Sequence, residues 1–268
     1  MPRSASSVPI TVLMAEYNTP PELLRASIES ILAQTETGFE LLIVDDGSRT
    51  DVSAIVDEYQ DARIRVVGYG ENRGFVAALN FGVGHARGEY IARMDTDDVA
   101  EPNYLASVVG WLRQHPEYSV ASGRAREVSS DGRDLLLGRP GELTRKAVMR
   151  GFTPIHPATV LRASAMREVG GYREFRRSED LALWCELLLQ GHRLYMVPDV
   201  VLSYRVHDED FSKRRLSNRG DEIRVRLHYY PLLGAGPREY WRIVRSIVSG
   251  LLPIGVLRTL RMRLHPRA

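Results

Sequence analysis

Glu89-Tyr90-Ile91-Ala92-Arg93-Met94-Asp95-Thr96-Asp97-Asp98 is the stretch on which the architecture of this 268-residue chain turns. Tyr90 to Met94 reads as a buried strand that runs without a break into three carboxylates. Three negative charges at a strand end repel one another unless a cation or a ligand lies between them. In a pleated strand Asp95 and Asp97 share a face, about 7 Å apart, close enough to hold one ion or flank one ligand. Hard divalent ions such as Mg2+ or Mn2+ favour oxygen ligands and usually bind through one or two carboxylates plus substrate phosphates. Standing alone, the triplet also reads as a solvated acidic turn before a helix that starts near Pro102. Its surroundings decide between the two.

Upstream, the same strand-then-helix unit recurs three times. Ile10 to Ala15 is a short apolar strand ended by Glu16-Tyr17-Asn18. Thr19-Pro20-Pro21-Glu22 has capping-box spacing, and Leu24, Ile28 and Ile31 follow at helical intervals. Phe39 to Val44 is the second strand, Asp45-Asp46-Gly47-Ser48 its turn, and Val52, Ile55, Val56 and Tyr59 mark the next helix. Ile64 to Val67 is the third strand, with Asn72-Arg73-Gly74 before a helix over Ala77 to Ala86. Strands alternating with helices in this way predict an α/β fold, a mainly parallel sheet flanked by helices. Ligands of such sheets bind beyond the carboxyl ends of the strands, where strand order reverses. Tyr17, Asp45, Arg73 and Asp97 all fall at or just past strand ends, so they can converge, and that convergence favours the ligand-binding reading of the acidic triplet.

Downstream of Trp111 the pattern changes. Tyr118 to Ala125 and Glu127 to Leu137, around Ser130-Asp131-Gly132-Arg133, read as a hairpin or edge pair. Glu142 to Arg150 is expected to be helical and Ile155 to Arg162 extended. Ser178-Glu179-Asp180 opens a helix with Leu183, Trp184, Leu187 and Leu188 facing inward, and Gly191 ends it. Strands at Leu194 to Val197 and Val201 to Val206 complete the body, and His207 follows at once.

Composition sets the outer bounds. An apolar content of 44% suffices for a sizeable core. No run of eighteen apolar residues spans a membrane, and Met1 to Ser7 carry no apolar signal core, so the expected location is cytoplasmic. The single Cys185 rules out a disulfide within the chain and reads as a buried thiol. The net charge of +2 is unevenly spread: residues 213–268 carry thirteen Lys or Arg against three Asp or Glu, or +10, which leaves −8 on the first 212 residues. Trp241 to Leu264 interleaves arginines with apolar residues and is broken by Gly250, Pro253 and Gly255. This suits amphipathic helices lying on an anionic membrane surface, a helix pair packed on the body, or a dimer interface. So many interleaved Leu, Ile and Val argue against a nucleic-acid partner.

Six segments, taken in order, resemble the family 2 glycosyltransferases: Met14-Ala15-Glu16-Tyr17-Asn18, Ile43-Val44-Asp45-Asp46-Gly47-Ser48, Asn72-Arg73-Gly74, Asp95-Thr96-Asp97-Asp98, Ser178-Glu179-Asp180 with Leu183-Trp184, and Tyr204-Arg205-Val206-His207. The resemblance covers about residues 8–212. It implies the glycosyltransferase A fold, with residues 8–115 as the nucleotide-binding half, 116–212 as the acceptor half and 213–268 as a basic helical extension. It further implies transfer of a sugar from a nucleotide diphosphate, UDP being common among relatives, to an acceptor hydroxyl with inversion at the anomeric carbon.

Residue by residue, the resemblance implies that Tyr17 and Asp45 hold the base of the nucleotide, that Arg73 lies beside the nucleotide, and that Asp95, with its neighbour Thr96, borders the ribose. Asp97 would coordinate the metal, Mn2+ or Mg2+, with His207 as a further metal or phosphate ligand or an ordinary surface residue. Asp180, beside Glu179, would be the general base, and His156 and Trp184 would border the acceptor. Ala15 stands where many members carry Thr or Ser, so one polar contact to the nucleotide is absent. The tryptophan of the Gln-x-x-Arg-Trp signature of processive relatives is missing from Gln190-Gly191-His192-Arg193-Leu194, which favours single-sugar transfer. The expected role is surface polysaccharide or lipid-linked glycan synthesis, with the tail on the inner membrane face. A non-catalytic sugar-nucleotide or membrane-binding module of the same fold would lack Asp97 or Asp180, yet both are present. A dinucleotide fingerprint beginning Gly68-Tyr69-Gly70 fails, because its third glycine falls at 74 and no helix opens after Gly70.

Overall fold

A computed structural model describes residues 9–128, 134–175, 177–205, 220–241 and 243–244. The first half follows the expected alternation: β1 (Ile10–Glu16), α1 (Pro21–Leu32), β2 (Phe39–Asp45), α2 (Val52–Asp57), β3 (Ile64–Gly68), α3 (Phe75–His85) and β4 (Tyr90–Arg93). A two-residue strand β5 (Val99–Ala100) and α4 (Tyr104–Gln114) follow. The second half contains β6 (Val120–Val128), β7 (Asp134–Leu137), β8 (Gly141–Glu142), α5 (Arg145–Met149), β9 (Thr159–Arg162), α6 (Ala163–Glu168), α7 (Glu179–Leu189), β10 (Leu194–Arg205) and α8 (Gly220–Leu232).

All ten strands join one sheet, ordered β3-β2-β1-β4-β9-β6-β10-β5, with β7 against β6 and β8 against β10. The pairs β3/β2, β2/β1 and β1/β4 are parallel. β1 therefore lies between β2 and β4, which makes the β1–β4 edge the point where strand order reverses. β9 is antiparallel to both of its neighbours, β4 and β6, and couples the parallel half to the rest. The stretch before it, expected to be extended, winds into a short 3-10 turn at His156–Ala158.

Side-chain alternation explains why both faces are covered. On β1, Leu13 packs with Leu42, Val44, Ala78 and Leu79, whereas Ile10, Val12 and Met14 pack with Leu24 and Ile28. Helix α3 lies close to the sheet because Gly82 has no side chain: a Cβ there would stand 2.3 Å from Leu13 Cδ1. The helical stretch expected at the carboxyl end packs on the body over its described part. Val225, Tyr229 and Tyr230 enter the core, Tyr229 Oη donates to Glu186 Oε2 at 3.0 Å, and Glu239 pairs with Arg150 at 3.1 Å. No helix among the described residues is long and apolar enough to cross a membrane. His207, the Asp208-Glu209-Asp210 run and nearly all of Trp241 to Leu264 lie outside the described residues.

Candidate active site

The carboxyl ends of β1 and β2 supply the first group of residues. Tyr17 is half exposed, and Ala15 beneath it is partly buried. Asp45 Oδ1 accepts a bond from Ser48 N at 2.8 Å, which closes the turn after β2. Glu16 stands directly opposite Asp45 in the parallel register. It is buried, its Oε1 accepts from Thr19 N at 2.8 Å, and its Oε2 has no hydrogen-bond partner among the described residues. The sequence reading gave Glu16 no role. Its position one residue before Tyr17 was the available signal.

Asp46, also without an assigned role, organises the next loop. Its two oxygens accept from Tyr69 Oη at 2.7 Å, Asn72 Nδ2 at 2.9 Å, Arg73 N at 2.8 Å and Gly74 N at 2.9 Å. The approach is close: Gly47 has φ of 77°, and a Cβ there would meet the Glu71 carbonyl carbon at 2.5 Å. These bonds present Arg73 at the site's edge, half exposed, with its guanidinium 4.5 Å from the Tyr69 ring centroid and paired to Glu71 at 2.9 Å.

At the end of β4 the acidic triplet is tighter than an extended strand would make it. Asp95, Asp97 and Asp98 each place a carboxylate oxygen within 4.8 Å of the others, because the chain leaves the strand after Arg93. Asp98 is buried, while Asp95 and Asp97 are partly exposed. Ser27 Oγ donates to the Asp95 carbonyl at 2.8 Å, and Thr96 is buried with its hydroxyl 2.7 Å from that of Thr19. An all-oxygen donor set of this spacing fits a hard divalent cation.

The second acidic group heads α7. Ser178 takes a left-handed conformation, φ 78°, which a serine rarely adopts and which marks local strain where the chain enters the helix. Glu179 and Asp180 follow, both partly buried. Desolvation, then the neighbouring Asp180 charge, pushes Glu179 up to about 7. Desolvation likewise raises Asp180, whose Oδ1 accepts a bond from Leu181 N at 2.7 Å. Both carboxyls therefore hold a proton more readily than an exposed acid does.

Between the two acidic groups lies an aromatic floor. Trp184 is fully buried, with its ring centroid 6.1 Å from that of His156. His156 Nε2 hydrogen-bonds Tyr172 Oη at 2.9 Å, and Phe75 meets the imidazole edge-on at 6.4 Å. Burial, and then the Arg93 charge, holds the His156 imidazole well below its ordinary range, so it is neutral. Arg93 itself, the last residue of β4, is buried with its guanidinium over the Phe75 ring, 5.4 Å from the centroid, and donates through Nη2 to Asp95 Oδ1. The structure thus gathers Asp95, Arg93, His156, Trp184, Glu179 and Asp180 at one edge of the sheet, beside the turns carrying Tyr17, Asp45 and Arg73.

Comparison with known proteins identifies the family and the fold. The family model described as Glycosyl transferase family 2 matches residues 11–169. EpsE of Bacillus subtilis is 30% identical over 258 residues, covering 92% of this chain and 91% of EpsE. The UDP-Gal:alpha-D-GlcNAc-diphosphoundecaprenol beta-1,3-galactosyltransferase of Escherichia coli is 26% identical over 232 residues, covering 82% of each chain. In structure, the chain is similar to the mannosyltransferase PcManGT of Pyrobaculum calidifontis, solved with GDP-Man and Mn2+. The TM-score is 0.68 at 19% identity, over 95% of this chain and 79% of that one. The fold is the glycosyltransferase A type that the motifs implied. By family match, full-length similarity and fold together, the chain belongs to family 2 of the glycosyl transferases.

Proposed function

We propose that this glycosyltransferase is a metal-dependent, inverting and non-processive enzyme that moves one sugar from a nucleoside diphosphate sugar, UDP-linked by default, to an acceptor hydroxyl of a surface polysaccharide or lipid-linked glycan. The observation that carries the reading is the pairing of two acidic sites on one sheet edge: a triplet suited to a divalent cation, and a desolvated acid pair at the head of α7. Family membership, together with the UDP-Gal donor and undecaprenol-linked acceptor named for the E. coli relative, supports the substrate class.

In this reading Tyr17 and Asp45 receive the base, Arg73 flanks the nucleotide and Asp95 borders the ribose. Asp97, with Asp95 and Asp98 beside it, would hold Mn2+ or Mg2+, and His207 would join from the segment after β10. An ion held there would supply positive charge to the leaving diphosphate, which would then depart without a proton donor. The acceptor hydroxyl lies near His156; Trp184, expected to border the acceptor, is fully buried and instead backs the His156 ring at a centroid distance of 6.1 Å. Asp180 takes the hydroxyl proton as the oxygen attacks the anomeric carbon from the face opposite the diphosphate. General-base catalysis of this kind contributes typically 10²–10⁴-fold. Glu179 keeps the second carboxyl of the pair in place. The basic carboxyl-terminal stretch docks on an anionic membrane surface, consistent with exposed Leu227, Leu232 and Trp241 on the described helices that lead into it.

The test is Asp180→Asn. Turnover of the donor should fall about 10²–10⁴-fold while nucleotide binding persists. Near-normal turnover by Asp180→Asn would remove it from the role of base.

A further inference from the structure

Phe75, the first residue of α3, is an exposed aromatic side chain at the cleft to which the transfer reaction as written gives no task. A single exposed phenylalanine is ordinary on a protein surface; the surroundings of this one are not. The residue is 37% exposed, yet both groups set against its ring are buried. Arg93 Cζ lies 5.4 Å from the ring centroid, and the His156 imidazole meets the ring edge-on at 6.4 Å. Alternation along β4 puts Arg93 on the Ile91 face, the face covered by α3 and α7. The ring is therefore braced from the interior and open on the side turned away from both neighbours. Its backbone is fixed too, because the two preceding amides, Arg73 N and Gly74 N, donate to the Asp46 carboxylate at 2.8 and 2.9 Å.

Two chains of contact locate the ring within the cleft. Toward β4, Arg93 carries on from the ring to Asp95 Oδ1, one of the three carboxylates gathered within 4.8 Å. Toward α7, His156 carries on to Trp184, 6.1 Å away and one turn beyond Asp180. Phe75 thus stands between the acidic triplet and the head of α7. Tyr17, the other exposed aromatic among the site residues, is already assigned to the base of the nucleotide.

We propose that Phe75 is a specificity-determining residue, whose ring is the platform for the pyranose being transferred. The proposal rests on the glycosyltransferase reading given above and deepens it. With the diphosphate at the triplet and the attacking hydroxyl at Asp180, the anomeric carbon has to lie between them, which is where the ring stands. One side of a pyranose is a patch of C–H groups, and the face of an aromatic ring is its negative, apolar counterpart. A ring already held on two sides loses little freedom when a ligand settles on it, so the contact goes into binding.

The test compares bare nucleotides with their sugar conjugates, since a platform for the sugar acts on the second and not on the first. Calorimetric titrations of the full chain with Mn2+ use UDP, GDP, UDP-glucose, UDP-galactose, UDP-N-acetylglucosamine and GDP-mannose. They are run on the wild type, on Phe75→Leu, which removes the ring and keeps apolar bulk, and on Phe75→Tyr, which keeps the ring. The Kd of the bare diphosphate should be unchanged in all three. The Kd of the conjugate that the wild type binds should rise about tenfold in Phe75→Leu, the size of one aromatic contact. Phe75→Tyr should retain the wild-type ratio of the two constants. If Phe75→Leu does not fold, Phe75→Met takes its place with the same expectation. An unchanged ratio in Phe75→Leu would overturn the proposal, and so would an equal loss of diphosphate and conjugate, which would make Phe75 a support for the nucleotide loop. A wild type that binds a diphosphate but none of the conjugates would overturn it as well, and leave the nucleotide site standing. Failure of the wild type to bind any of the six would instead refute the transferase reading, and the platform with it.

Discussion

Replacing Glu179 with glutamine should stabilise the protein, and the gain should depend on pH in one direction. Glu179 is held at about 7 in the folded chain against an ordinary value of 4.5, first by desolvation and then by Asp180. Below pH 4.5 the carboxyl is protonated in both folded and unfolded states and imposes no penalty. As pH rises from 4.5 through 7 the unfolded chain releases its proton first, so folding stability is lost, and the loss is complete above pH 7. A shift of 2.5 units, from 4.5 to about 7, corresponds to about 3 kcal/mol at 1.36 kcal/mol per unit. Glutamine keeps the shape and cannot ionise, so it escapes this loss. For a 268-residue chain an unfolding entropy of about 2.1 cal/mol/K per residue converts about 3 kcal/mol into roughly 5 °C. The assay is melting of wild type and Glu179→Gln at pH 8 and pH 5, metal-free. The variant should melt about 5 °C higher at pH 8, and at pH 5 the gain should drop below about 1 kcal/mol. An equal difference at both pH values would show that packing or capping, and not a raised ionisation, governs this position.

Other consequences follow from the same geometry. Asp46→Ala removes the acceptor of four hydrogen bonds that shape the 69–74 loop. It should reduce stability by about 2–4 kcal/mol in urea titration and raise KM for the donor, because Arg73 loses its support; an unchanged midpoint would show that the loop holds itself. The acidic limb of kcat against pH should lie above the ordinary aspartate range, since burial raises Asp180. A limb at or below that range would point to a solvated base.

Much of the parallel half was legible from local pattern. Apolar runs of strand length, helical spacing after them and Gly-, Asp- and Asn-rich turns encode β1 to β4 without reference to distant residues, and the acidic triplet was visible at the strand end. What escaped depends on non-local placement. Ile155 to Arg162 reads as extended, but nothing in it announces that β9 inserts antiparallel between β4 and β6. Glu16 gains its meaning from the register that sets it opposite Asp45, and Arg93 from the alternation that turns it toward α7. The left-handed Ser178 has no sequence signature, because serine is not a residue that prefers that conformation. The carboxyl-terminal stretch read as a basic extension because its arginines dominate the composition. Its described part packs on the body through Val225, Tyr229 and Tyr230, three residues diluted among charges.

The central claim is that the acidic triplet and the turns beside it form a metal-assisted nucleotide site. The most direct measurement is a thermal-shift panel of the wild type and Asp97→Ala with UDP, GDP, dTDP and CDP, each with and without Mn2+. Ligand binding to the native state raises stability by RT ln(1 + [L]/Kd), about 2.7 kcal/mol at a hundredfold excess over Kd. One nucleotide should shift the wild-type melt in the presence of Mn2+, with a much smaller shift in its absence and in Asp97→Ala. No shift with any nucleotide in either metal condition, or an equal shift in Asp97→Ala, would contradict the account.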